Sequence, residues 1–426
     1  MKTVAFHTIG CKLNFAESSA IARKFKNKGY IISNFGSKAD IYVINTCSVT
    51  SSAEKKCRQA IRQARKRNPD AIIAVIGCYS ELRYDEIENL KLVDIILGNS
   101  NKYDLLDYIE STANNDEIDR VANFEKFCPA ISYDERTRSF LKIQDGCDYY
   151  CTYCTVPFAR GMSRSASIQE ILNMINLAVD NGIKEIVLTG VNVGDFGKKN
   201  GESLARLLIQ IEEITKLERL RISSIEPDLL SKELINIISN SDIIAPHFHI
   251  SMQSGSDNIL RLMNRKYDTA FFSEKINMIK ENMPDAFIAI DVITGFPGET
   301  DKEFNITKKY IQNLPVSELH VFTYSERPGT KAANMPGYVQ NGIRQERTTE
   351  LLEISKQKKK NFYISSLNSF HKVLWEAKQY KGFMSGYTEN YLKVKCDYDE
   401  TKINTVQKVL LTQTDEDETF RCFIDE

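Results

Sequence analysis

A strand-like run, Ser139 to Ile143, leads straight into Asp145-Gly146-Cys147-Asp148-Tyr149-Tyr150-Cys151-Thr152-Tyr153-Cys154, three cysteines spaced C-x3-C-x2-C. A compact turn with this spacing brings three thiolates together at the end of a strand. Three chemistries compete for such a loop. A structural zinc site asks for four protein ligands, commonly in C-x2-C pairs, and here the first interval is one residue too long and no fourth ligand is near. A C-x2-C redox pair from Cys151 and Cys154 leaves Cys147 without a use. An iron-sulfur cube held at three corners uses all three cysteines and leaves its fourth iron free to bind something else.

The chain has 426 residues, enough for several domains with sizeable cores. No stretch approaches the roughly 18 apolar residues of a membrane span, and the start, Met1 to Gly10, reads as a first strand rather than a secretory leader. The expected location is the cytoplasm, where ten cysteines stay reduced and need uses other than disulfides. A formal net charge of -1 gives no global support for nucleic-acid binding, which has to rest on local patches.

Residues 1–100 alternate strand and helix: Val4 to Ile9, Asn14 to Lys28, Ile41 to Asn45, Ala53 to Arg67, Ala71 to Ile76, Asp85 to Asn89, then Val93 to Leu97. This is the pattern of a small doubly wound parallel sheet. Cys11, Cys47 and Cys78 each follow a strand, and the carboxyl ends of parallel strands open on one edge. The trio is either a metal site or a chance placement of small residues beside glycine loops. Cys57, Cys128, Cys396 and Cys422 have no comparable spacing and read as buried filler.

Residues 101–136 are acidic and polar and read as a link, with a loop at Asn114 to Glu117. From 137 to 362 about six longer strand-helix units imply a partly open (β/α)6 barrel, whose ligands bind at the strands' carboxyl ends. A charged helix, Glu346 to Asn361, closes it. Residues 363–426 hold five short strand candidates, a small β-barrel. The fold class is thus α/β with a β-barrel appended.

The motifs Gly10-Cys11-Lys12-Leu13-Asn14, Asn45-Thr46-Cys47, Gly77-Cys78-Tyr79, Phe140 to Cys147, Arg160 to Ser165, Ile222 to Glu226, His249 to Ser256 and Gly295 to Thr300 together resemble the methylthiotransferase branch of the radical S-adenosylmethionine enzymes over essentially the whole length. The likeness is to the bacterial branch that acts on N6-threonylcarbamoyladenosine in tRNA. The resemblance implies that Cys147, Cys151 and Cys154 ligate a [4Fe-4S] cluster whose open iron binds S-adenosylmethionine. It implies that Cys11, Cys47 and Cys78 hold a second [4Fe-4S] cluster carrying the sulfur for the product. S-adenosylmethionine is then both methyl donor and source of the radical that takes hydrogen from C2 of the adenine. Tyr153 borders the adenine of the cofactor or simply packs. Gly190 ends a strand and permits close backbone approach. Glu226 and Gln253 belong either to the cofactor and substrate rim or to hydrogen bonds that tie loops together.

The expected partners are the tRNA anticodon loop, an external reductant and a sulfur source, and the expected state is a monomer. Lys55, Arg58, Arg62 and Arg65 share a helix face, with Arg160 and Arg164 beyond the cysteine loop, a stripe that is either an RNA track or a solvated surface. The last module resembles the TRAM RNA-binding domain. Trp375, Lys372, Lys378, Lys381, Lys393 and Lys395, with Tyr380, Tyr387 and Tyr391, suit a backbone grip or base stacking. Asp397, Asp399, Glu400, Asp415, Glu416, Asp417 and Glu418 oppose it.

Overall fold

The computed structural model describes residues 1–114, 127–132, 137–415 and 419–424. Its first sheet is five parallel strands in the order Ile31–Ser33, Thr3–Thr8, Ile41–Thr46, Ile72–Gly77, Ile95–Leu97. The order reverses between Thr3–Thr8 and Ile41–Thr46, which opens a crevice beyond their carboxyl ends. Ile31–Ser33 is a strand that alternation alone did not mark. Its burial is slight, as suits an edge strand.

Two apolar cores flank this sheet, one of which includes Leu105, Leu106, Tyr108 and Ile109. The link expected from residue 101 onward is therefore corrected over part of its length. Lys102–Asp104 forms a 3-10 turn and Leu105–Asn114 an amphipathic helix packed on the first sheet, while Ala130–Ser132 joins the next domain as a strand. Acidic side chains on the helix's outer face lowered the segment's average hydrophobicity without erasing its apolar stripe. Residues 115–126 and 133–136 of the expected link, and most of the loop expected at Asn114 to Glu117, lie outside the described residues.

The central barrel has six parallel strands: Arg138–Lys142, Glu185–Thr189, Arg219–Ile222, His247–Gln253, Phe287–Thr294 and Glu318–Thr323. They form two hydrogen-bonded blocks joined through the bridges Leu220 to Ile244 and Ile225 to Ile250. Among the described residues no pairing joins Glu318–Thr323 to Arg138–Lys142 or to Ala130–Ser132, so the barrel is open there. Its outer face carries Leu141, Ile186, Leu188, Leu220, Ile250, Ile290 and Val292, all in one core with the surrounding helices. The alternate positions carry the polar Arg138, Glu185, Arg219, Arg221, His249, Asp291 and His320 among apolar residues such as Val187, Ala289 and Ile293. Period-2 alternation thus gives an apolar exterior packed on helices and a lumen that holds the polar side chains.

Asn341–Ser365 is one long helix, extending the expected one at both ends. The strands Phe370–Tyr380, Phe383–Thr388, Lys393–Asp397, Val406–Thr414 and Phe420–Ile424 close into a barrel, antiparallel except where Lys393–Asp397 runs parallel to Phe420–Ile424. Trp375 is fully buried in its centre and donates to Gln407 at 2.9 Å, so it is a core residue and not a stacking platform. Tyr387 and Tyr391 stack on each other at 5.0 Å with Arg138 over both rings, so they join the module to the central barrel. Arg219 and Arg221 complete that joint, donating to the carbonyls of Lys372, Tyr387, Thr388 and Glu389 at 2.6–2.9 Å. Of the opposing acids, Asp415 is engaged by Lys395 at 2.7 Å, and Glu416 to Glu418 lie outside the described residues.

Candidate active site

Cys11, Cys47 and Cys78 come together at the crevice of the first sheet. Strand register places Thr46 beside Gly77, so the cysteines that follow each are neighbours. A Cβ added to Gly10 would stand 3.1 Å from the Cβ of Cys47, and Gly10 itself has φ +134°. The helix Lys12–Asn27 begins two residues before the expected Asn14, so Cys11 occupies its N-cap position. Asn14 holds the loops: its amide donates to the Thr46 carbonyl at 2.9 Å and its oxygen accepts from the Cys11 thiol at 3.3 Å. Asn99 donates to Cys78 Sγ at 3.4 Å and to the Ala159 carbonyl at 2.8 Å, joining this site to the loop that follows the other cysteines.

Cys11 is exposed, yet surrounding protein raises its thiol pKa, which is how a group at the floor of an open recess behaves. Burial, then the neighbouring Cys78, pushes the Cys47 thiol up to about 12. Cys57 approaches from the core side, its thiol 3.8 Å from the Cys47 carbonyl, and is fully buried among apolar residues.

The second trio sits on a tightly tied loop. Gly146 has φ +72°, and a Cβ there would meet the Met162 carbonyl oxygen at 2.1 Å. Tyr150 also takes a left-handed backbone, φ 50°. Cys147 N–H donates to the Gly161 carbonyl at 3.1 Å, Thr152 N–H to Met263 at 3.1 Å, and Cys154 N–H to Cys151 at 3.0 Å. Burial raises all three thiols, Cys147 and Cys154 to about 12. A thiol-redox pair needs the opposite shift. Thiols held protonated by burial give up their protons to a metal, whose charge replaces the missing solvation.

Arg265, which no spacing rule marked, donates to Cys151 Sγ at 3.1 Å and pairs with Glu226. Burial nevertheless raises the Glu226 carboxyl to about 7, with Arg265 opposing the rise. Glu226 is thus tied to the cysteine loop through an arginine. Tyr153 and Gln253 line a cavity of about 260 Å³ together with Val49, Thr50, Cys154, Asp291 and Arg327. Its wall comes partly from the loop after Cys47 and partly from the barrel, and of the six cysteines Cys154 lines it. Gln253 has φ +66° at a register shift in its strand. Gly190 stands apart from these: a Cβ there would meet Gln144 Oε1 at 2.8 Å, so the close approach it permits is to a protein side chain.

Between the sites runs a buried ionic network. Glu17 meets Lys102 at 2.5 Å, Lys142 at 2.9 Å and Arg160 at 3.0 Å, and Asp145 meets Lys142 at 2.7 Å, Arg160 at 3.0 Å and Arg164 at 3.3 Å. Two carboxylates serve four cations. Although burial alone would raise Glu17 and Asp145, these cations hold both well below the usual range. Lys102 pairs ionically with Glu17 and donates to Asn99 at 2.7 Å, and burial, with Arg160 and Lys142 nearby, lowers it to about 8. The surplus positive charge adjoins the first trio: Arg160 donates to Asn14 at 3.0 Å and interacts electrostatically with Cys78. Such a surplus suits an anionic thiolate-ligated cluster.

Arg160 therefore does not belong to an RNA track, and the basic stripe is corrected elsewhere too. Arg58 donates to Tyr79, and Arg65 to the Leu92 carbonyl and Asp94. Lys55, Lys56, Arg62 and Lys66 are exposed. Arg58 and Arg65 are half-buried against neighbouring loops and helices, which helical spacing alone does not distinguish from solvent.

Residues 3–98 match the model of "Uncharacterized protein family UPF0004" and residues 141–311 that of the "Radical SAM superfamily". The chain is 39% identical over 421 residues to threonylcarbamoyladenosine tRNA methylthiotransferase MtaB of Bacillus subtilis, covering 96% of this chain and 93% of that protein. It is 40% identical over 367 residues to MtaB of Aquifex aeolicus, covering 84% and 89%. It is 32% identical over 423 residues to tRNA-2-methylthio-N(6)-dimethylallyladenosine synthase of Thermodesulfovibrio yellowstonii, covering 97% and 96%. Among solved structures, the radical S-adenosylmethionine methyltransferase TsrM of Kitasatospora setae shares the fold, with a TM-score of 0.57 at 11% identity over 78% of this chain and 77% of that one. With relatives this similar over nearly the full length, the chain belongs to the radical S-adenosylmethionine methylthiotransferases, enzymes that use S-adenosylmethionine and [4Fe-4S] clusters.

Proposed function

We infer that this enzyme converts N6-threonylcarbamoyladenosine at position 37 of tRNA to its 2-methylthio derivative. The observation that carries the reading is a pair of three-cysteine clusters tied together through Asn99, in a chain whose similarity to the threonylcarbamoyladenosine enzymes exceeds its similarity to the dimethylallyladenosine synthases. We assign one [4Fe-4S] cluster to Cys147, Cys151 and Cys154 and the other to Cys11, Cys47 and Cys78. When bound, the clusters and S-adenosylmethionine supply the sulfur, the methyl group and a radical able to take a hydrogen that no ordinary base removes.

The chain's own residues do the positioning. Gly146 and the carbonyls of Gly161 and Met263 fix the loop of the second trio, while Arg265 orients Cys151 and Glu226. Tyr153 and Gln253 shape the chamber wall, and the Glu17 network sets the distance between the sites. An adenine in an anticodon loop is partly unstacked, so its presentation costs little pairing energy. We assign the phosphate backbone to the exposed Lys55, Lys56, Arg62 and Lys66, and to Lys378, Lys381 and Tyr380 on the last module. The reaction draws on an external reductant and sulfur source, and we take the chain to act as a monomer. No described helix is long and apolar enough to cross a membrane.

Nucleoside mass analysis of tRNA from cells with and without the gene tests the substrate. Loss of 2-methylthio-N6-threonylcarbamoyladenosine on deletion, restored by complementation, is expected. Unchanged levels of that nucleoside together with loss of the methylthio dimethylallyl form would overturn the assignment.

A further inference from the structure

The barrel lumen holds a group of side chains that the reaction as described does not use. His249, Asp291 and His320 come from three adjacent parallel strands, and sheet register sets Asp291 directly beside His320. His249 Nε2 lies 2.7 Å from Asp291 Oδ1, His320 Nδ1 lies 3.1 Å from His249 Nε2, and His320 Nδ1 lies 3.5 Å from the same Oδ1. Three potential ligand atoms from two imidazoles and one carboxylate thus lie within 4.8 Å of one another.

As a hydrogen-bonded set this triangle is awkward. If both rings donate to Asp291, two N–H groups crowd one oxygen with their nitrogens 3.1 Å apart. If His249 gives its proton to Asp291, it keeps no lone pair in the ring plane for His320. A cation removes the conflict, because each atom then offers a lone pair. Ligand bonds of about 2.0–2.2 Å at tetrahedral or octahedral angles separate ligand atoms by about 3.0–3.5 Å, close to the triangle present.

The surroundings fit as well. The other nitrogen of His320 faces Glu318 at 3.9 Å, and Lys359 holds that carboxylate at 3.0 Å. A carboxylate behind a ligating imidazole fixes its tautomer and orientation. Asp291 lines the chamber shared with Tyr153, Cys154 and Gln253, and the His320 side chain is 40% exposed, so one side of the site is open.

We infer that His249, Asp291 and His320 form a mononuclear site for a divalent first-row cation of the Zn2+ or Fe2+ class, distinct from both cysteine sites, with open coordination positions facing the chamber. Those positions take an oxygen donor from whatever enters it.

The test uses the full chain, anaerobically reconstituted so that both clusters are loaded, then exposed to Zn2+ and passed through a desalting column. Elemental analysis is expected to find about one zinc per chain with the iron count unchanged. His249→Asn, Asp291→Asn and His320→Asn are each expected to lose the zinc while keeping full iron, which also shows that they fold. Glu318→Gln is expected to weaken zinc binding about 10- to 100-fold. Co2+ in place of zinc is expected to show ligand-field bands without a thiolate charge-transfer band. No retained zinc in the wild type, equal zinc in the three variants, or a thiolate band with Co2+ would each overturn the site.

Discussion

Replacing Glu17 by Gln removes one of two carboxylates from a buried network of four cations and keeps the side chain's shape. Glu17 is fully buried and touches Lys102, Lys142 and Arg160, which lie on both sides of the contact between the first sheet and the central barrel. Breaking one partner out of a buried ionic group costs about 3–5 kcal/mol, because the charges left behind remain desolvated. At about 1.4 kcal/mol per tenfold, local opening of the contact becomes more frequent by about two to four powers of ten. Amide hydrogen exchange read by mass spectrometry checks this directly. Amides in Lys12–Asn27 and Arg138–Lys142 are expected to lose protection by at least a hundredfold, while those in the C-terminal barrel do not change. An effect below tenfold would refute the claim that this network sets the distance between the cysteine sites.

The same variant has a pH signature. Glu17's carboxyl is depressed in the folded state, so its stabilisation is complete above its ordinary value of 4.5 and fades as pH falls toward the native pKa. Glu17→Gln is expected to lack that acid-side loss. Lys102 has the same sign in a higher window: its pKa falls from 10.5 to about 8 on folding, so the unfolded chain binds more protons there and the wild type gains stability as pH rises through it.

Gly146→Ala forces a Cβ onto the Met162 carbonyl in a left-handed backbone, and reconstituted iron is expected to fall from about eight to about four per chain, counted colorimetrically. Arg265→Gln removes the donor to Cys151 and the partner of buried Glu226; iron is expected to stay while S-adenosylmethionine cleavage slows at least tenfold in a single-turnover assay. Neutralising Lys55, Lys56, Arg62 and Lys66 together is expected to weaken tRNA binding at every sequence and to reduce the slope of log affinity against log salt by about 3, measured by filter binding.

The grouping of the six cysteines was legible because their placement is local: a C-x3-C-x2-C turn, and three strand ends that any parallel sheet brings to one edge. Side chains whose meaning depends on register were not. His249, Asp291 and His320 lie tens of residues apart, and only the pairing of three strands makes them neighbours. Glu17 looks like an ordinary acid on an amphipathic helix, and Arg160 like an RNA contact, until packing of the two domains buries both. Trp375 shows the same limit in reverse, since a short strand does not say which of its faces points into a closed barrel. The helix Leu105–Asn114 was hidden by its acidic outer face, although its apolar residues at 105, 106 and 109 carry helical spacing.

The division of labour between the two cysteine sites is tested most directly with Cys47→Ala and Cys151→Ala, reconstituted anaerobically and assayed side by side for 5'-deoxyadenosine and for methylthiolated tRNA nucleoside. Cys151→Ala is expected to form neither product. Cys47→Ala is expected to release 5'-deoxyadenosine while forming no methylthio nucleoside. Methylthiolation at the wild-type rate by either variant would contradict the account.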